Sequence, residues 1–131
     1  MKIMNRLIKF RAWDFEKNIM LDNHDDDGWL SGTHFFLEPS FESINTKFAW
    51  MQYTGLHDKN GTEIYEGDIV LIDFDVDEEP TKSVVEYKSG GFVVEADFGD
   101  FDMTTIGWAL DITDSITVIG NIYENPELLK P

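Results

Sequence analysis

The side chains with the means to do chemistry are three histidines, His24, His34 and His57, and three runs of acidic residues. No histidine falls two or four positions from another, so the paired ligands of an HExxH zinc site are missing. A lone loop histidine reads as solvated. The first acidic run, Asn23-His24-Asp25-Asp26-Asp27-Gly28, follows the first half of a calcium loop. With Gly28 at position six, Asn23, Asp25 and Asp27 fall at positions one, three and five. Position twelve is then His34, where the loop needs a bidentate glutamate, and the EF-hand reading fails. The second run is Asp73, Asp75, Asp77, Glu78 and Glu79; the third is Asp97, Asp100 and Asp102. Paired carboxylates do acid–base work when their surroundings push their pKa values apart. In loops and at strand ends they read instead as solvated faces. The chain has no cysteine, which excludes disulfides, thiolate zinc sites, iron–sulfur clusters and cysteine nucleophiles. Gly90-Gly91 sits between two strand-like runs and opens no helix, so it is no phosphate loop, and no GxSxG elbow is present. The residues assign no catalytic group, no cofactor and no metal.

The elements that would position such groups are mostly strands. Ile8, Phe10 and Ala12 alternate with Lys9, Arg11 and Trp13, which predicts a strand with one polar face. Residues 14–18 predict a turn and Ile19-Met20-Leu21 a returning strand. Residues 22–34 read as an exposed loop, His34 to Leu37 as a short apolar run stopped by Pro39, and 41–48 as ambiguous. From Phe48 to Tyr53 the strand signal strengthens. Asp58-Lys59-Asn60-Gly61 is a strong turn signal, because Asn-Gly tolerates positive φ. Further strands are expected at 63–65, at 69–72, from Ser83 to Tyr87 and from Phe92 to Ala96, the last two forming a hairpin around Lys88-Ser89-Gly90-Gly91. Residues 98–112 give no clear pattern. A final strand runs from Ile116 to Tyr123. Asn125-Pro126-Glu127 matches a helix start, with Asn as cap and Pro in the first position. Leu128 and Leu129 are expected to pack that turn on the sheet. The expected fold is mainly β: a small barrel-like or strongly bent antiparallel sheet with a short C-terminal helical turn, in one domain over residues 1–131.

Composition narrows the functional classes. At 131 residues and 42% hydrophobic, the chain can fill one core. Its formal charge of −16 disfavours direct binding of nucleic acid or anionic lipid. Lys2, Arg6, Lys9 and Arg11 precede every acid, while residues after 13 hold six bases and 26 acids. The basic first strand either lies on an edge or docks on an acidic surface, its own or a neighbour's. No signal-peptide core and no uncharged stretch near the roughly 18 residues of a membrane helix appear, which points to the cytoplasm. The four tryptophans, Trp13, Trp29, Trp50 and Trp108, are many for a small fold. Most must be core, and any left outside would anchor protein contacts.

Three segments carry a resemblance. They are Lys9-Phe10-Arg11-Ala12-Trp13-Asp14, the block from Met51 to Val70 (MQYTGLHDKNGTEIYEGDIV), and the block from Val118 to Leu129 (VIGNIYENPELL). In this order they closely resemble the YopX-like family of small proteins from phages and prophages of Gram-positive bacteria. The resemblance covers nearly the whole chain, although residues 22–46 and 73–113 follow no family pattern. It implies a mostly β, barrel-like fold, a phage or prophage origin and a homo-oligomeric, ring-like assembly, and it carries over no activity and no catalytic residue. Read physically, Gly55, Gly61, Gly67 and Gly120 sit where turns or bends favour a residue without Cβ. A self-association surface built on Arg11, Trp13, Tyr53 and Tyr65 is the expected functional feature.

Three functions compete. The first is a non-enzymatic interaction protein of the host cytoplasm that associates with itself and binds a host or phage protein. The second is an acidic nucleic-acid mimic that inhibits a host DNA-binding protein, its carboxylates standing in for phosphates. The third is a divalent-metal-dependent enzyme, which would need distant acids such as Asp25, Asp73 and Asp100 to converge.

Overall fold

The structure, a computed structural model, describes residues 8–21, 48–73, 79–98, 101–112 and 115–130. The calcium-like run, the loop and apolar run of 22–37, and Asp75, Asp77, Glu78 and Asp100 lie outside them, as does the ambiguous segment 41–47. Two compact units divide the chain, Met1–Gly55 and Leu56–Pro131.

In the first unit, β1 (Phe10–Asp14) lies between β2 (Ile19–Leu21) and β3 (Phe48–His57), both antiparallel to it. Ala12 faces Leu21 on one side and Trp50 on the other; Trp13 faces Met20 and Ala49. The β1–β2 turn is built by Asp14, whose Oδ1 accepts the amides of Glu16 and Lys17 at 2.9 and 3.1 Å. The amide of Asn18, a residue with φ of 55°, donates to the carbonyl of Asp14. The alternation across β1 does not hold to its end: Ala12, Trp13 and Asp14 are all buried. The expected polar face therefore stops at Arg11.

The second unit holds β4 (Glu63–Tyr65), β5 (Asp68–Ile72), β6 (Thr81–Val84), β7 (Glu86–Lys88), β8 (Gly91–Phe98), β9 (Phe101–Thr105) and β10 (Ile116–Asn121). Two three-stranded antiparallel sheets form from them, in the orders β10-β5-β6 and β7-β8-β9. The strand expected from Ser83 to Tyr87 is two strands in two sheets. Val85 is the break. Its amide donates to the carbonyl of Asp68, the first residue of β5, and its carbonyl accepts from Gly67, so both groups are held at that corner and neither is left for a ladder with β8. The chain then leaves β5 and pairs with β8, Glu86 opposite Val93 and Lys88 opposite Gly91. Ser89 and Gly90 close that hairpin with φ of 54° and 83°. Two consecutive positive values match the twist of the flanking strands, which is why a Gly belongs there.

Irregularities between Glu95 and Phe98 in β8, and between Val118 and Gly120 in β10, shift the register against the partner strand. Such bulges bend the strand that carries them. The segment without a clear sequence pattern resolves into β9 followed by a helix, α1 (Ile106–Ile112), which packs on β8 and β9. Seven residues are too few for helical periodicity to show in sequence or for an isolated helix to hold. Ile106 and Ala109, one turn apart, are buried and supply the contact. They join Ile64, Val70, Ile72, Val85, Val94 and Ile116 in one core. Each fully buried isoleucine contributes about 1.5–3 kcal/mol.

At the C-terminus Pro126–Leu129 form a 3-10 turn with Pro in the first position, as expected. Its cap differs from expectation. The Asn125 side chain caps nothing in its own turn; Oδ1 instead accepts the amide of Asn121 at 3.2 Å. Gly120 makes this approach feasible, since a Cβ there would stand 2.5 Å from that oxygen. Leu129 is also exposed and Leu128 only half-buried, so the turn lies on the surface without burying a residue. Lys82 secures it by donating to the Leu128 carbonyl at 2.9 Å. The fold is mainly β, with antiparallel sheets and, among the described residues, one short helix and one C-terminal 3-10 turn.

Gly120→Ala is expected to lower stability by about 1–3 kcal/mol through overpacking against Asn125. Urea unfolding of Gly120→Ala, Asn125→Ala and the double variant checks this. The double variant should lose less than the two single losses together.

Candidate functional site

Of the residues expected to form a contact surface, three lie in the first unit and one in the second. Trp13, Tyr53 and Tyr65 are 8%, 5% and 8% exposed, and Arg11 is half-buried. The three rings are thus core residues, a correction to the surface expected of them. Trp13 is buried because the end of β1 is covered on both faces, and Tyr53 because it sits in the inner part of β3. Tyr53 does hold a basic residue: the Lys9 ammonium stands 5.0 Å from its ring centroid, and its amide donates to the Lys9 carbonyl. Tyr65 donates its amide to Asp68 Oδ2 at 2.8 Å. What remains outside near β1 is different in kind. Ile8, Phe15 and Ile19 are 56%, 50% and 44% exposed around the β1–β2 hairpin.

Within the second unit an open groove of about 450 Å³ is lined by His57, Asp58, Lys59, Leu110 and Ser115. Asp58 begins the turn that follows β3 and is itself buried. One oxygen, Oδ1, accepts the amides of Asn60 and Thr62, both at 2.9 Å. The other, Oδ2, accepts the amide of Val118 at 2.9 Å, sixty residues along the chain. Beside it the Lys59 amide donates to the Ile116 carbonyl at 3.1 Å. These bonds fall on β10, the outer strand of its sheet, so the turn covers an edge that would otherwise be open. Burial pushes the Asp58 carboxyl up, but the amides of Val118, Thr62 and Asn60 and the charge of Lys59 outweigh it. Its pKa lies below the usual 3.8. With three amides on it, the carboxylate has little capacity left to orient a histidine or hold a metal.

Asp68 works the same way at the next corner. It is 1% exposed, binds the Tyr65 amide and gives its carbonyl to Val85, while the adjoining Gly67 carbonyl accepts from Ile122. Nearby, burial and then the charge of Glu66 raise the Tyr123 phenol above 10.0. Asn121 closes the far end of β10: its Oδ1 accepts the amides of Tyr123 and Glu124, and its Nδ2 donates to Glu124. Asp58 and Asp68 were legible as turn residues only. An aspartate two positions before Asn-Gly is nevertheless an Asx-turn signal, and it could have marked Asp58. Among the described residues no group of three His, Cys, Asp or Glu side chains is placed to hold a metal ion. No described helix is long and apolar enough to cross a membrane.

The backbone corners described above fall in the segments that carried the family resemblance, and a family model described as YopX protein matches residues 9–130. The chain belongs to the YopX family. It is 32% identical over 121 residues to the SPbeta prophage-derived uncharacterized protein YopX of Bacillus subtilis (strain 168), covering 90% of this chain and 87% of that protein. The crystal structure of protein EF1440 from Enterococcus faecalis matches with a TM-score of 0.61 and 31% identity, over 96% of this chain and 100% of that one. The X-ray structure of yopX from Bacillus subtilis matches with a TM-score of 0.62 and 26% identity, over 93% and 98%. In this YopX-family chain, the middle resemblance segment holds both Asp58 and Asp68, and the last one holds Val118, Gly120, Asn121 and Asn125. At Asp58 Oδ2 a carboxylate of the middle segment meets an amide of the last, that of Val118.

Asp58→Ala should cost about 2–3 kcal/mol, since a charged acceptor for three amides is lost. Because the folded pKa is depressed, the part of this contribution that depends on the charge is fully present above the unfolded-state pKa and fades as pH falls through the folded value. Urea melts between neutral and acid pH should therefore show a shallower loss of stability for Asp58→Asn than for the parent.

Proposed function

We propose that this chain is a non-enzymatic interaction protein of a phage or prophage, working in the host cytoplasm, that associates with itself and binds a host or phage protein. The observation that supports this most is the exposed apolar trio of the first unit: Ile8, Phe15 and Ile19 are 56%, 50% and 44% exposed. Ile19 begins β2, the outer strand among the described strands of its sheet. Exposed apolar side chains such as Phe15 and Ile19, at the turn end of the hairpin, suit a protein contact. Lys9 and Arg11 add positive charge on the adjoining strand. In a chain of net −16 this favours an acidic partner surface, of the kind another copy or another acidic protein presents.

The non-enzymatic part of the reading is supported by how the groove's acid is used. Asp58 accepts three amides of the fold, so its carboxylate serves the turn and β10 and is poorly placed for acid–base work.

Size-exclusion chromatography with light scattering, at low and high salt and over a range of concentrations, tests self-association. The parent should exceed monomer mass, and a Phe15→Asp, Ile19→Asp variant should weaken association by about tenfold or more. That variant should unfold within about 0.5 kcal/mol of the parent, because both sites are exposed. A strict monomer under every condition, with no protein retained in a pull-down from host lysate, would overturn the proposal.

A further inference from the structure

Asn60-Gly61 is the single Asn-Gly pair in the chain, and both residues are exposed at the tip of the turn that Asp58 organises. Such a pair carries its own chemistry. The Gly61 amide nitrogen can lose its proton and attack Cγ of Asn60. A bond then forms between that nitrogen and Cγ, the bond from Cγ to Nδ2 breaks, and ammonia leaves with the proton. The five-membered succinimide that results is opened by water at either carbonyl. Attack at one gives aspartate; attack at the other gives isoaspartate, whose main chain is one methylene longer. Nothing is oxidised or reduced. Gly61 offers no side chain to obstruct the attack, and a Cβ placed there would meet nothing within 4 Å. Asparagine is accordingly among the thermolabile residues of proteins.

Two features of the fold oppose this reaction. The attacking nitrogen is already a donor: the Gly61 amide binds the Asp58 carbonyl at 3.0 Å, which makes its proton harder to remove. The amides on either side, of Asn60 and Thr62, are both fixed on Asp58 Oδ1 at 2.9 Å. Ring closure requires the Asn60–Gly61 peptide to rotate towards the Asn60 side chain, and that rotation pulls against all three bonds.

We propose that Asn60 is a spontaneous deamidation site held in check by the Asp58 clasp. The site and its restraint also feed back on each other. Isoaspartate at position 60 would lengthen the path between the two amides that share Oδ1, so that one carboxylate oxygen no longer reaches both. The turn would then loosen from β10, whose Ile116 and Val118 it binds. Conversion to either product also adds a negative charge beside the groove of His57 and Lys59.

The test is peptide mapping by mass spectrometry, with enzymatic detection of isoaspartate, after incubation at mildly alkaline pH. The folded protein, the same protein in urea, and Asp58→Asn are compared. Deamidation at Asn60 should be about tenfold or more slower in the folded protein than in urea, as expected when reaction requires local opening. Asp58→Asn, which removes the charged acceptor, should react faster than the parent while still native by circular dichroism. Should that variant fail to fold, the folded-versus-urea ratio decides alone. Equal rates folded and in urea, no reaction at Asn60 in urea, or a folded Asp58→Asn no faster than the parent would each overturn the proposal.

Discussion

A single carboxylate, that of Asp58, holds the second unit to its own register. Three amides converge on it, two from the turn it begins and one from β10. The chain crossing from β3 to β4 and the outer strand of the β10-β5-β6 sheet are thereby tied at one point. A hydrogen bond to a charged acceptor is stronger than one between neutral groups, and at a buried residue water competes poorly for it. The neighbouring bond from Lys59 to Ile116 is short of charge but doubles the seam. Asp68 repeats the device one corner on, and Asp14 repeats it within the first unit.

This changes how the acidity of the chain is read. Twenty-six acidic residues look from composition like a solvated coat or an imitation of phosphates. Asp14, Asp58 and Asp68 are neither, because all three are buried and turned onto backbone amides. A turn that must be buried needs acceptors for its amide donors, and aspartate provides them on a short, stiff stem. Acid here is partly a structural material. The surface remains negative, and against it the exposed apolar side chains of the β1–β2 hairpin stand out chemically.

Much of the backbone path was legible because it is written in local chemistry. Asn60-Gly61 marks a turn, Lys88 to Gly91 a hairpin, and Pro126 the start of a helical turn; all three are where the residues say. Gly55, Gly61 and Gly67 take positive φ, as residues without Cβ can. What escaped notice depends on distant partners. Nothing local in Ser83 to Tyr87 announces a break at Val85, which arises because the Gly67–Asp68 corner takes both of its backbone groups. The α1 helix is under two turns and exists through the packing of Ile106 and Ala109. The proposed contact residues misled for a related reason. Trp13 alternates with apolar neighbours and so looked outward, yet the end of β1 is covered on both sides. Asn125 had every feature of a cap, but the space above Gly120 lets it reach back to Asn121 instead.

The sheet change at Val85 also bears on how the second unit is assembled in time. Strands β7 and β8 are joined by a two-residue turn, and β5 meets β6 across a short connection, so both pairings close small loops and can form early. The pairing of β10 with β5 must wait for the chain between them, and the Asp58–Val118 bond waits with it. Changes to the Ser89-Gly90 turn therefore act mainly on the rate of refolding. A bond that closes late is expected to act more on unfolding than on folding, so loosening the Asp58 seam should act mainly on the rate of unfolding. The residue that fixes the register is thus the guardian of the molecule's lifetime, not of its speed in reaching the native state.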